Sequence, residues 1–294
     1  MRYARIERFK SEYPISSLCA ALHVSERGFR QHDRRTKVLS SGRVSDMGLL
    51  AHVRAIHEES RRAYGLPRIW RELRDRGIRV GKRRLERVMR ENSIRARSRR
   101  KFKVTTNSDH SLPVSANMLD RNFSTDRPNR VWTGDITYIA TDEGWLYLAV
   151  VLDLFSRRIV GWSMGARVSR HLVIDALTMA WFRRRPEAGL MFHSDRGSQY
   201  ASHEFQRTLK RFAMVGSMSR KGNCWDNAVT ETLFGSLKVE RLHGVRFRTR
   251  EDAKNEVLDW MMFYNRRRMH STLDYISPMA FEENWDRARL ADAA

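Results

Sequence analysis

The run "VWTGDITYIATDEGWLYLAVVLDLFSRRIVGWSM", residues 131–164, decides how the chain folds. Its first part alternates, with Asp135, Thr137 and Ile139 on one side and Ile136 and Tyr138 on the other. A period of two is the mark of a strand. The apolar "WLYLAVVLDLF" follows, and "RRIVGWSM" comes after a short "SR" turn, so three consecutive strands of an antiparallel meander are expected. Beyond them the rhythm changes. A helix is expected over Ser169–Arg185, a fourth strand at "LMFHS", a helix over Ser202–Arg211, a fifth strand at "AMVGSM" and a longer helix from Asn227 to about Leu242. Strands followed by alternating helices define an α/β fold with helices on both faces of the sheet.

Two acids stand at informative places in that scheme. Asp195 ends the fourth strand and Asp135 sits in the first, so their side chains converge if those strands are neighbours at the sheet centre. A third acid lies on the last helix. At 100° per residue Asn227, Glu231 and Lys238 share one helix side, while Val229, Leu233 and Leu237 form an apolar stripe well round from it. Three converging carboxylates ~4 Å apart in a poorly solvated site repel one another. Divalent cations remove the repulsion: oxygen ligands suit magnesium or manganese, and two such ions ~3.5–4 Å apart clamp the attacking and leaving oxygens of a phosphoryl displacement. The expected chemistry is cutting or joining a nucleic-acid backbone. Asp153, just before the "SR" turn, is expected in a turn or salt-bridge role instead.

Composition agrees with a nucleic-acid partner. The 294 residues are 41% hydrophobic, enough for a sizeable core and two domains. Lys and Arg number 56 against 34 Asp and Glu, a formal charge of +22 that calls for a polyanion. No apolar run approaches the roughly 20 residues of a membrane span, and "MRYARIERFKSEYP" lacks a signal-peptide core. The expectation is a bacterial cytoplasmic protein with no membrane association. Cys19 and Cys224 are the two cysteines, far apart and without metal-ligand spacing, which argues against disulfides and zinc fingers.

The charge concentrates between Arg61 and Lys103, and two helix-turn-helix outlines occupy the N-terminal part. In the first, Ile15, Leu18, Cys19 and Leu22 share a helix face and Ser25 caps a second short helix carrying Arg27, Phe29 and Arg30. In the second, a helix with Ile69, Trp70 and Leu73, entered through Arg68, stops at Gly77. Another starts after Gly81 with Leu85, Val88 and Met89 inward and Lys82, Arg83 and Arg84 in its first turn, where basic residues suit DNA phosphates. The expected organisation is two helix-turn-helix regions at 1–50 and 51–103, a linker at 104–129, a catalytic core at 130–285 and a tail at 286–294.

Five motifs, "GDITYI", "DLFSRRIVGWS", "HSDRGSQY", "NCWDNAVTETLFGSLKVE" and "YNRRRMHSTLDYISPMAFE", together resemble the integrase core of OrfB-type transposases of bacterial insertion sequences, relatives of retroviral integrases. The resemblance implies an RNase H-like fold, a mixed five-stranded sheet flanked by helices and preceded by small all-α helix-turn-helix domains. It also implies an Asp135, Asp195, Glu231 triad binding two magnesium ions, with manganese substituting. In that family water frees a 3′-hydroxyl at the element's end, and the hydroxyl then attacks another phosphodiester.

By the same resemblance Gly197, Ser198 and Gln199 let backbone approach DNA, and Asn227 orients the Glu231 helix or contacts a phosphate. Lys238 becomes a phosphate contact, "SRKGN" with Lys221 a loop beside the site, and Arg266, Arg267, Arg268 and His270 DNA-backbone candidates. Nothing supplies the cysteines of a retroviral His, His, Cys, Cys module, so no zinc is expected. The implied partners are double-stranded DNA, both terminal inverted repeats and target, and a second copy of the chain, at least a dimer on DNA. An upstream OrfA-type protein, fused or separate, is the further candidate. Two other functions fit the same residues: a non-catalytic DNA-binding regulator or domesticated remnant, and an RNase H-like nuclease acting on hybrids.

Overall fold

The computed structural model describes residues 2–37, 45–97, 115–120, 122–220 and 227–292. The chain divides into two compact units, one of residues 1–59 and 64–95 and one of residues 60–63 and 96–294.

The first unit is helical. Helices α1 (Arg2–Phe9), α2 (Ile15–Ala21) and α3 (Glu26–Lys37) close around Ile6, Cys19 and Phe29. Ile15, Leu18 and Leu22 pack on that cluster, as their spacing predicts. Ser25 caps α3, its Oγ accepting from the Gly28 N–H at 3.0 Å. Helices α4 (Asp46–Glu59), α5 (Leu66–Asp75) and α6 (Lys82–Glu91) bury Leu49, Val53, Ile56, Ile69, Leu73, Leu85, Val88 and Met89. Gly77 ends α5 with φ +78°, and the Ile78 N–H reaches back to the Leu73 carbonyl at 2.8 Å. Only glycine takes that left-handed closing position without strain. Helix α4 was not foreseen and runs across the boundary expected at residue 50.

The second unit holds a five-stranded sheet of order β3-β2-β1-β4-β5, built from β1 (Val131–Thr141), β2 (Gly144–Asp153), β3 (Ile159–Gly165), β4 (Met191–Ser194) and β5 (Val215–Met218). The meander β1, β2, β3 is antiparallel, and β4 and β5 add in parallel beside β1. The sheet is therefore mixed, and β1 lies at its centre.

Alternation along the strands separates two cores. Trp132, Ala149, Val151, Val160 and Phe192 face α7 (Arg170–Arg184), α8 (Ser198–Ala201) and α9 (His203–Arg211). Ile139, Leu148, Val150, Leu152 and Ile159 face α10 (Ala228–Leu237) and α11 (Arg250–Arg266) on the other side. Close approach of α7 needs Gly161, where a Cβ would stand 2.2 Å from the Ala176 carbonyl oxygen. The long helix expected to Leu242 is present with one change: after Leu237 it continues as a π turn, Lys238–Leu242. Helix α12 (Pro278–Asp292) follows α11.

The expected linker ends earlier than its composition suggests. Residues 104–114 lie outside the described residues, but from 115 the segment is bound to the sheet unit. Met118 N–H donates to Ser217 Oγ at 3.0 Å, Met218 N–H to the Ala116 carbonyl at 3.4 Å, and Leu119 is buried. The physical reason is the open edge of β5, whose unpaired backbone groups this polar segment helps to satisfy. No helix among the described residues is long and apolar enough to cross a membrane.

Candidate active site

Register brings the first two acids together. Gly134 of β1 is paired with Ser194, the last residue of β4, so Asp135 on β1 and Asp195 just past the end of β4 emerge side by side at the sheet centre. Gly134 keeps the approach open on the opposite face, where a Cβ would lie 2.5 Å from the Phe192 ring and 3.3 Å from the Tyr200 hydroxyl. Glu231 arrives on α10, which is pinned to β1 next to Asp135. The Thr230 hydroxyl lies 2.9 Å from that of Thr133 and 3.0 Å from Asn227 Oδ1, and all three residues are buried.

Asp135 feels the other two carboxyls. Burial first, and then the negative charge of Asp195, push Asp135 well above the usual carboxylate range, with Glu231 adding to the rise. The Ile136 N–H, 2.7 Å from Asp135 Oδ1, and the Lys238 charge oppose that rise. Glu231 is the most exposed of the three, and its partial burial pushes it above its ordinary value. Asp195 Oδ1 accepts from the Gly197 N–H at 3.0 Å. Lys238 is half-buried with its Nζ 5.3 Å from the Tyr138 ring centroid, and burial lowers its pKa.

Tyr200, inside "HSDRGSQY", is the residue the sequence reading missed. It is buried on α8, and burial followed by the charges of Asp135 and Asp195 pushes its phenol well above 10.0. Its only signal was its place five residues after Asp195 in the motif.

The donors available for a metal are all carboxylate oxygens, the chemistry of a hard divalent cation. Mutual repulsion at Asp135 is what a cation would relieve. Among the described residues, no three acids, histidines or cysteines stand close enough to hold an ion together. The donor set fits the cation, and the three acids share a field without forming a closed ligand sphere.

The other candidates are scattered. Ser198 and Gln199 line a groove of about 710 Å³ between the N-terminal ends of α7 and α9. Asn227 is buried against Thr230, which favours orienting the Glu231 helix over contacting a phosphate. Arg266 and Arg267 are exposed, and His270 is half-buried with Nδ1 2.8 Å from Thr272 Oγ1. Arg268 requires a correction: it is 4% exposed and its guanidinium is paired with Glu240 at 2.7 and 3.0 Å, so it is held in the core and away from any DNA backbone. Trp260 Nε1 completes that group with a 2.9 Å bond to Glu240 Oε2. Lys221 and Cys224 lie outside the described residues.

Asp153 plays the turn role expected of it. It is fully buried, accepts from the Asn129 and Phe155 N–H groups at 2.8 and 2.9 Å, and stands 3.8 Å from Arg184.

In the helical unit, Arg27 is exposed and Arg30 is exposed with a 3.1 Å bond to Glu26. Arg68 lies over the Tyr64 ring and Lys82 over the Trp70 ring, the latter at 4.6 Å. Arg83 is exposed, whereas Arg84 is tied to Asp46 at 2.6 Å.

Family models and curated relatives match this chain along most of its length. Models of the integrase core domain match residues 125–224 and 231–285, and a model of an HTH-like domain matches residues 45–102. The chain is 41% identical over 283 residues to transposase InsF of insertion sequence IS3A from Escherichia coli (strain K12), covering 96% of this chain and 98% of that one. It is 42% identical over 272 residues to the 31 kDa protein of insertion element IS600 from Shigella sonnei, covering 91% and 98%. Among solved structures, the HTLV-2 integrase catalytic core in complex with magnesium matches with TM-score 0.44 at 17% identity, over 54% of this chain and 99% of that one. The simian T-cell lymphotropic virus intasome matches with TM-score 0.47 at 18% identity, over 69% and 67%.

A mixed five-stranded sheet with an integrase core, behind an HTH-like helical module, defines a polynucleotidyl transferase that acts on DNA. Within that class the chain belongs to the OrfB-type transposases of insertion sequences, the family of the IS3 transposase InsF.

Proposed function

We propose that this transposase cuts insertion-sequence ends and joins the freed 3′-hydroxyl to DNA at a site formed by Asp135, Asp195 and Glu231, with two divalent cations, magnesium or manganese. The observation that carries the reading is the β1–β4 register, which sets Asp135 beside Asp195, together with the charge that Asp195 and Glu231 impose on Asp135. Bound cations supply charge stabilisation at the attacking and leaving oxygens of the phosphodiester. Asp135 and Asp195 would hold them from the sheet, and Glu231 from α10. Asn227 and Thr230 orient α10 through Thr133. Lys238 stands beside Asp135 as a phosphate contact. No protein nucleophile is needed, because water and then the DNA 3′-hydroxyl attack.

DNA recognition falls to the helical unit, with Arg83 and Lys82 at the start of α6 and Arg27 on α3, and zinc plays no part. The expected division at residues 1–50, 51–103, 104–129, 130–285 and 286–294 is proposed with α4 moved into the second region and the segment from 115 into the core. The working enzyme is proposed to be at least a dimer on DNA, with or without an upstream OrfA-type partner.

The test is strand cleavage and joining on a labelled duplex carrying the element's end. In magnesium, wild type releases a 3′-hydroxyl and joins it, while Asp195→Asn and Glu231→Gln bind the end but lose about 10³-fold in rate, the equivalent of several kcal/mol of lost charge stabilisation. Variants that cleave at the wild-type rate would overturn the triad. Binding without cleavage by wild type, unchanged by an upstream partner, would favour the regulator.

A further inference from the structure

His193 has no solvent exposure, and both ring nitrogens meet serine hydroxyls, Nδ1 with Ser217 Oγ at 2.9 Å and Nε2 with Ser219 Oγ at 3.2 Å. Counting hydrogens among these groups favours one tautomer. Ser217 Oγ accepts the Met118 N–H, and Ser219 Oγ has the Ser194 carbonyl as an acceptor at 3.3 Å. If Nε2 carries the proton, the Ser217 hydroxyl donates to Nδ1, Nε2–H donates to Ser219 Oγ, and the Ser219 hydroxyl donates to Ser194. Every hydroxyl proton then has an acceptor in the group. If Nδ1 carries it, the Ser219 proton must turn to Nε2 and the Ser217 proton has no acceptor among these atoms, a costly arrangement in a buried site.

The chain of bonds ends where the chemistry is proposed to begin. Ser219 is bonded to both neighbours of Asp195: its N–H donates to the Ser194 backbone carbonyl at 2.9 Å, and its own carbonyl accepts from the Arg196 side chain through Nε at 2.6 Å. The turn carrying Asp195 is thus clamped by one residue of the neighbouring segment, and the orientation of that residue's hydroxyl is set by His193.

We propose that His193, as the neutral Nε2–H tautomer, is a positioning residue for Asp195, acting through Ser219 and not on the DNA itself. The proposal rests on Asp195 being a cation-binding acid. Groups that support a metal ligand from behind affect affinity or rate about 10- to 100-fold.

The experiment uses the full chain. Nitrogen-15 spectra of the histidine rings, with the His193 signals assigned through His193→Gln, read the tautomer directly. Thermal unfolding against magnesium concentration, and 3′-hydroxyl release from the end duplex, are then compared for wild type, His193→Gln, His193→Phe and Asp195→Asn. The expected result is an Nε2–H ring in wild type. His193→Gln is expected to need about tenfold more magnesium for half its thermal stabilisation and to cleave about tenfold more slowly, with end-DNA affinity unchanged. An Nδ1–H ring overturns the proposal even if His193→Phe fails to fold. So does a His193→Gln protein with the wild-type magnesium midpoint and rate beside an inactive Asp195→Asn. An Asp195→Asn protein that responds to magnesium and cleaves like wild type overturns the reading of Asp195 itself, and the positioning role with it.

Discussion

With no solvent around it, the Asp153 carboxyl depends entirely on protein donors, and burial pushes its pKa from 3.8 up to about 6 despite the Asn129 and Phe155 N–H bonds. Between those two values the folded chain binds more protons than the unfolded one. Its contribution to stability is therefore complete below pH 3.8 and is lost as pH rises through about 6. At about 1.4 kcal/mol per pH unit the loss amounts to about 3 kcal/mol. Urea unfolding at intervals from pH 4 to 7 should show that slope in wild type and a shallower one in Asp153→Asn; equal slopes would mean that Asp153 does not titrate in this range. Arg268 makes the opposite case, an arginine whose charge is needed inside. Removing it by Arg268→Met leaves Glu240 buried and unpaired and should cost about 3–5 kcal/mol, whereas Arg266→Ala, on the exposed neighbour, should change stability by less than about 0.5 kcal/mol. A small effect of Arg268→Met in urea unfolding would contradict the pairing. Nothing in "YNRRRMHS" marks which of three successive arginines turns inward, because the choice depends on Glu240, which lies on another element.

At the scale of elements, α6 separates two roles within one basic turn. Arg84 bridges to Asp46 of α4, and Arg87 joins it at 2.6 Å, so both hold the helical module together. Arg83 points to solvent. Arg83→Ala should weaken binding to end DNA across sequences and reduce the salt slope by about 1, as for one lost phosphate contact. Arg84→Ala should instead lower the thermal midpoint and leave the slope in place. Equal slopes for wild type and Arg83→Ala in salt titrations would remove Arg83 from the interface. The strands and the α5–α6 turn were legible because each has a local signal: alternation in β1, Gly77 at a closing turn, Gly81 before a basic helix start. Helix α4 carries a buried stripe, Leu49, Val53 and Ile56 at i, i+4 and i+7, but apolar residues off that stripe, such as Met47 at 82% exposure, blur its pattern in the sequence. The π turn escaped for a related reason. Val239, Glu240 and Arg241 are buried in succession, which no one-sided α-helix allows. The pairing of Asp135 with Asp195 was readable only as a condition, since adjacency of β1 and β4 is a property of the sheet and of no single segment.

For the whole molecule, the constraint is that each chain carries Asp135, Asp195 and Glu231 once, while an insertion sequence has two ends to be cut and joined together. A formal charge of +22 also opposes self-association of free chains and favours their meeting on a polyanion. Assembly should therefore follow DNA binding, with one set of acids serving each end. Mixing wild type with Glu231→Gln before adding DNA makes this measurable. In an equal mixture, about one quarter of randomly formed dimers hold two intact sites. Cleavage of single ends should fall to about half, in proportion to intact chains, while products with both ends joined should fall to about a quarter. If paired joining also falls only to half, a single chain processes both ends, and the dimer is not the unit of function.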